Sequence, residues 1–449
     1  MMFQSTKQQN LANPKADGKL QTGRQAISAW PQFRGPGSSG VGISPALPTE
    51  WSATKNVLWK TTLPGRSWSS PIALGERLYV TCVIREGEAE KPRKGLYFGG
   101  ERPSVPTDRH LFKLLCIHIN TGKLIWETTL HAGAPKTSIH LKNSYGAETP
   151  CTDGTRIYCT FGGLGVFALS MDGKKLWSRE LDPAKTRYGW GYASSPVVHD
   201  GRVYMVNDND DRAEFIALDA RTGKDIFRVP RDEKSNWATP FVWTQGGRTE
   251  IVTCGTNAVR SYDTNGKVLW TLRGMSTIVI PTPLTGSGLL FVTSGYVGDA
   301  FRPLYAIRPG VMGDISLESG ASSNKSIAWS YPAAGPYNPS PLYYDGRIYV
   351  LYDRGLISCY DALTGKIIYD KQRLPEGFAF TTSPWAAAGH VFCLNEDGIC
   401  YVIKAGDKFE LVRQNRLTEN DMCMASPALI GNKLVIRTSE GLYCIQSAK

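Results

Sequence analysis

Seven short segments of this sequence combine aromatic and polar side chains just ahead of a proline: RSWSS, NSYGAET, WGYASS, SNWAT, PYNPS, FAFTTS and DMCMAS. Flat rings beside a few hydrogen-bonding groups are what a pocket for a ring-shaped ligand, a sugar or a peptide chain requires. The candidates they supply are Arg66, Trp68, Tyr145, Glu148, Trp190, Tyr192, Trp237, Tyr337, Asn338, Phe380 and Met424. Glu148, with Arg66 or Tyr145 beside it, is the carboxyl group that acid–base work on a sugar would use. The same rings could instead wedge structural units together, and the sequence leaves both uses open.

Assembled catalytic signatures are missing. There is no H-E-x-x-H, G-x-S-x-G or EF-hand loop, and no Gly-Lys pair is followed by the Ser or Thr of a phosphate loop. His110, His118, His131, His140, His199 and His390 have no metal-ligand spacing; His199 reads as a turn residue and His118 as a stand-in for a repeat aspartate. The acidic run NDNDD at 207–211 could offer carboxylates to a hard cation, but a solvated turn is the expectation. Gly162, Gly163 and Gly165 read as hairpin geometry. The 10 cysteines include no adjacent pair and no C-x-x-C, and most lie in apolar runs, as buried thiols do. No metal site is expected, and no catalytic residue can be named.

The elements that must position these side chains are written as repeats. A Ser/Thr-Pro step followed by two apolar runs recurs at Pro71, Pro150, Pro196, Pro240, Pro283, Pro341, Pro384 and Pro427, spaced 43 to 46 residues apart except for gaps of 79 and 58. Interleaved with it, a turn leads into an aromatic: Trp59, Trp126, Trp177, Phe227, Trp270, Trp329 and Tyr369, with a weaker member at Leu411. Each unit reads as four short strands with no segment of helical period. In the Thr-Gly-Lys turns glycine supplies the positive φ that a hairpin needs, and proline suits the start of an innermost strand, where its missing N–H costs no ladder bond. Four antiparallel strands repeated radially make a β-propeller.

The order of the two series predicts the closure. Trp59 precedes the first Ser/Thr-Pro step, and the last step has no turn-plus-aromatic after it. The last blade must therefore take its fourth strand, residues 56–62, from the N-terminal side, which removes the open edges of a linear array. The expectation is an all-β, eight-bladed propeller spanning 30–449 as one domain, after a polar, flexible segment 1–29. Length alone would have suggested about three domains. Trp59, Trp126, Trp177, Trp270 and Trp329 are expected to dock blade on blade, and the insertions at 85–109 and 310–324 read as loops.

Composition narrows the partners. The net charge of +11 is spread thinly, so nucleic acid is not expected, and no apolar run is long enough to span a membrane. The first 29 residues lack the apolar run of a signal peptide, which leaves a cytoplasmic location open. A monomer is expected.

The repeat D-x-x-T-G-K-x-x-W, matched at 219–227 and 361–369 and less closely at 120–126, resembles the pyrroloquinoline-quinone-like (PQQ-like) propeller repeats. The opening W-P-Q-F-R-G-P at 30–36, with LPTEW and NVLWK, is similar to a subgroup of exported bacterial propellers of unassigned function. The resemblance implies a periplasmic or cell-envelope location and two kinds of relative. Quinoprotein alcohol dehydrogenases hold the quinone and a calcium ion in the channel under a vicinal disulfide, which this sequence lacks. The propeller lipoprotein of the outer-membrane β-barrel assembly machinery is non-enzymatic, and its lipobox cysteine has no counterpart before Cys82. The expectation is a non-catalytic binding or scaffold propeller that offers its channel face to a peptide, protein or glycan and carries no cofactor. The alternative is a channel-mouth enzyme, either PQQ-dependent or carbohydrate-active.

Overall fold

The computed structural model describes residues 29–87, 91–96, 99–101 and 104–447. The expected segment 1–29 lies outside these residues except for Ala29, which is already in a strand.

Eight antiparallel sheets stand around a channel, in an all-β propeller. We number the blades from the Ser/Thr-Pro step at Pro71. Each innermost strand starts on the residue after its proline, as in Ile72–Leu74, Val197–His199, Leu342–Tyr344 and Ala428–Ile430. Proline thus sits where no ladder bond is asked of it. Blade 8 closes as the sequence order requires: Val57–Thr62 pairs antiparallel with Gly441–Ile445 and forms its outer strand. The Thr-Gly-Lys glycines hold φ of 68° at Gly122, 71° at Gly223 and 73° at Gly365. After each of these turns the register slips by a bulge, as between Ala217 and Leu218.

The core lies between blades rather than within them. Ile72, Tyr79 and Cys116 of blade 1 pack with Ile157, Cys159 and Leu169 of blade 2, and comparable clusters join the other neighbours around the ring. The outer-strand aromatics seal these seams by lying against the turn glycine of the next blade. A side chain added at Gly122 would meet the Trp59 ring; Gly173 stands in the same relation to Trp126, Gly223 to Trp177, and Gly365 to Trp329. Trp177 is only half-buried, so the full loss expected of a buried ring does not apply to it. Trp270 differs: it is fully buried and its indole N–H donates to Glu250 of its own blade at 2.7 Å.

Two segments depart from a plain loop. Gly313–Asp314, in the 310–324 insertion, pairs in parallel with the outer strand of blade 4, and Ile315 is buried beside it. Composition could not reveal this, because two residues of pairing leave no periodicity. Ala29–Trp30 adds to the inner edge of blade 1. From there residues 31–42 cross the channel. The Pro31 carbonyl accepts the Thr152 N–H of blade 2, Pro36–Ser38 lies beside Phe241–Gln245 of blade 4, and Gly40 and Gly42 bond Ala386 of blade 7. The crossing plugs one end of the channel. Among the described residues no helix is long and apolar enough to cross a membrane.

Candidate channel site

With one end plugged, the channel is a blind cavity of about 530 Å³. Its floor carries Phe33 of the crossing segment, and its wall is built from the loops that deliver each chain to the next innermost strand. Trp68, Trp190, Trp237, Tyr337, Asn338 and Met424 line it, joined by Tyr188 and Tyr296. Trp190 is the centre of an aromatic group, with ring centroids 5.1 Å from Tyr188 and 5.8 Å from Trp237. Opposite, Tyr296 meets Tyr337 edge-on at 5.5 Å. The indole N–H of Trp237 is spent on the Gly191 carbonyl and that of Trp68 on the Lys142 carbonyl. The Trp190 indole N–H is buried without an acceptor.

The other five candidates do not reach the cavity. Arg66 bridges Val83 through its backbone. Phe380 is fully buried against Tyr401, in the core between blades 6 and 7. Tyr145, Glu148 and Tyr192 gather around a separate void of about 10 Å³. There Glu148 Oε1 accepts the Gly162 N–H at 2.7 Å, and burial raises its carboxyl to about 7. Tyr145 donates to the Thr137 carbonyl and Tyr192 to the Ala184 carbonyl. Sequence spacing could not separate these from the wall residues, because the two neighbours of Glu148, Ala147 and Thr149, do line the cavity.

A ring of hydroxyls went unnoticed in the sequence although its signal was there. The residue before each of the eight repeat prolines is Ser or Thr: Ser70, Thr149, Ser195, Thr239, Thr282, Ser340, Ser383 and Ser426. All eight line the cavity. A backbone N–H at this position has no ladder partner, and the neighbouring blade supplies one. Ser70 N–H donates to Thr149 Oγ1 at 2.9 Å, Thr149 to Ser195 Oγ at 2.9 Å, and Ser195 to Thr239 Oγ1 at 3.1 Å. Thr282 donates to Ser340 Oγ at 3.0 Å, Ser340 to Ser383 at 3.0 Å, and Ser383 to Ser426 at 3.1 Å. Each accepting oxygen keeps its own proton to give.

Next to Phe33 stands Arg34, which does not itself line the cavity and which sequence reading also passed over. It is fully buried, and none of its three guanidinium nitrogens has a partner. Burial lowers its pKa to about 9 with no carboxylate to offset the loss of water. Its backbone is held at φ 61°, in the left-handed region that costs a non-glycine residue about 1 kcal/mol or more. Glycine at position 40 makes room for it, since a Cβ there would stand 3.0 Å from the guanidinium and 3.4 Å from the Pro384 carbonyl.

Described residues of the 85–109 insertion lie at the open mouth. Gly95, Leu96, Gly99 and Glu101 face the cavity. On the blade 2 side the Gly99 carbonyl meets His140 Nε2 at 2.7 Å and the Gly95 carbonyl accepts from Lys142 at 2.7 Å; on the blade 7 side the Gly95 N–H reaches Glu396 at 2.9 Å. Lys142 and the fully buried Glu396 form an ion pair at 2.5 Å, with Thr381 donating to the same carboxylate. The 207–211 run is less solvated than expected. It does form a turn, but Asp208 is buried and holds Arg231 through two bonds of 2.8 and 3.0 Å.

Comparison with known proteins places this geometry in context. Residues 165–303 match the family model described as outer membrane protein assembly factor BamB. BamB from Moraxella catarrhalis is similar over 87% of this chain and 98% of its own, at 11% identity and a TM-score of 0.57. Quinohemoprotein alcohol dehydrogenase from Comamonas testosteroni is similar over 94% of this chain and 81% of its own, at 12% identity and a TM-score of 0.58. The tRNA(Glu)-specific nuclease WapA of Bacillus subtilis subsp. natto (strain BEST195) is 26% identical over 133 residues, 26% of this chain. The chain spans 6% of the length of that curated relative. At these identities the structural likeness shows the fold.

A quinone held with a divalent cation would need oxygens free to coordinate beside the rings. Asp353 is the buried carboxylate of the wall, and its oxygens already accept the Tyr337 N–H and the Asn338 N–H at 3.0 Å and the Asn338 amide at 2.6 Å. Among the described residues no group of three or more His, Cys, Asp or Glu side chains is placed to hold a metal ion, and no cysteine faces the cavity.

Proposed function

We propose that this PQQ-like propeller is a non-catalytic binding protein of the cell envelope that takes part of a peptide or glycan into its blind channel. What supports the reading is the cavity itself: about 530 Å³, closed at one end, walled by tryptophan and tyrosine rings and encircled by hydroxyls. Rings supply stacking faces of low conformational entropy, and the hydroxyls supply direction. The carboxylates near the wall serve the protein. Asp353 ties down the Tyr337 loop, Glu396 anchors the strap across the mouth, and Glu148 faces away into its own void.

Titration of a peptide and oligosaccharide panel, followed by tryptophan fluorescence, tests the proposal. Binding by one class, lost in Trp190→Ala and Trp237→Ala at unchanged melting temperature, is expected. Turnover of an alcohol or sugar by the purified protein with added quinone and calcium would reject it, as would binding that ignores both tryptophans.

A further inference from the structure

The channel neck joins two observations that binding of a neutral ring or chain does not use. Eight hydroxyls line it, and at least six already accept a neighbour's N–H, so each of these keeps its O–H to donate and has one acceptor site fewer for a ligand. Beside the start of blade 7's innermost strand lies the Arg34 guanidinium, buried with all three nitrogens unpartnered. A second guanidinium, Arg437, stands behind the ring. One of its nitrogens is bonded to Ser69, next to the ring residue Ser70, and its other two are unpartnered. The carboxylates that face the cavity, Asp353 and Glu101, belong to a turn of the open face and to the strap, above the neck. Uncompensated positive charge surrounded by hydroxyl donors is the inverse of an anion.

We propose that the neck is an oxyanion site, which takes a carboxylate or phosphate group carried into the channel by the ligand. The inference rests on the reading of the channel as a binding cavity and adds the charge of what enters it. The hydroxyl ring supplies the donors, and the two buried guanidinium charges beside it, which do not themselves line the cavity, favour an anion there. Arg34 thereby acts through its charge, from behind the wall of the cavity. Its strained backbone and the side-chain space left by Gly40 are the cost of holding a buried cation beside the start of blade 7's innermost strand.

Inorganic phosphate and acetate, each compared with chloride at matched ionic strength, are the probes. Thermal melting should rise saturably with either oxyanion in the wild-type protein. Arg34→Met should weaken the response at least tenfold, and Arg34→Lys should keep part of it. The same rise in Arg34→Met, or no difference between oxyanion and chloride, would overturn the proposal. Should Arg34→Met not fold, calorimetric titration of the wild-type protein decides alone: one saturable site supports it, and no saturable heat up to about 10 mM rejects it. Trp190→Ala separates the two readings, because it should lose peptide or glycan capture while keeping the phosphate response. Capture without any phosphate response rejects the oxyanion site and leaves the binding role standing.

Discussion

Glu148 converts the geometry of one buried side chain into a pH dependence. Its carboxyl accepts the Gly162 N–H at 2.7 Å, and burial, outweighing the backbone hydrogen bonds that favour the ionised form, raises it from 4.5 to about 7. In the unfolded chain the group ionises near its ordinary value, so between these two pH values the folded protein binds a proton that the unfolded chain has released. Stability therefore falls as pH rises across that window; the penalty is absent below the unfolded pKa and complete above the folded one. At roughly 1.4 kcal/mol per tenfold, the full penalty is about 3 kcal/mol. Glu148→Gln keeps the acceptor for Gly162 and removes the ionisation. Equilibrium urea unfolding at pH 5 and pH 8 should show the variant gaining on the wild-type protein by about 2.5 kcal/mol at the higher pH relative to the lower, since part of the penalty is already present at pH 5. A stability difference between the two proteins that is the same at both pH values would refute the reasoning and return Glu148 to the solvent-facing role its sequence context suggested.

Trp59 is buried against Gly122, with its indole N–H on the Ile119 carbonyl, whereas Trp126 is partly exposed and its indole N–H has no acceptor. Trp59→Ala should cost about 3 to 5 kcal/mol and Trp126→Ala clearly less; equal losses in urea unfolding would reject the seam as described. Lys142→Met leaves the Glu396 carboxylate buried beside only Thr381 and the Gly95 N–H, and should cost about 3 kcal/mol while speeding limited proteolysis within 85–109. An unchanged cleavage rate would show that the ion pair does not hold the strap. All 10 cysteines are buried with free thiols, and burial raises every one of them, Cys82 to about 11 and Cys116 to about 12. A thiol reagent should therefore find none quickly until denaturant is added, and rapid native labelling of one would contradict its placement.

The ring was legible in the chain because its rules are local. Proline where no N–H is needed, glycine where φ must be positive and an aromatic at each outer strand recur at fixed spacing, and their order placed Val57–Thr62 in the last blade before any coordinates. The wall aromatics Trp68, Trp190 and Trp237 were legible for the same reason, since every loop ahead of a Ser/Thr-Pro step ends at the channel. What spacing could not reveal is direction. Glu148 and Thr149 are adjacent, yet one side chain turns into a void between loops and the other into the cavity. Nor could any local rule show that residues 31–42 would cross to blade 7 and bury Arg34, because their partners lie hundreds of residues away and the contacts are single backbone bonds. The repeats alone determined the propeller and its closure, by demands that each blade meets within itself and against its neighbour. The blind end, the hydroxyl neck and the unpartnered guanidinium exist only once the ring has closed and brought distant segments to one axis.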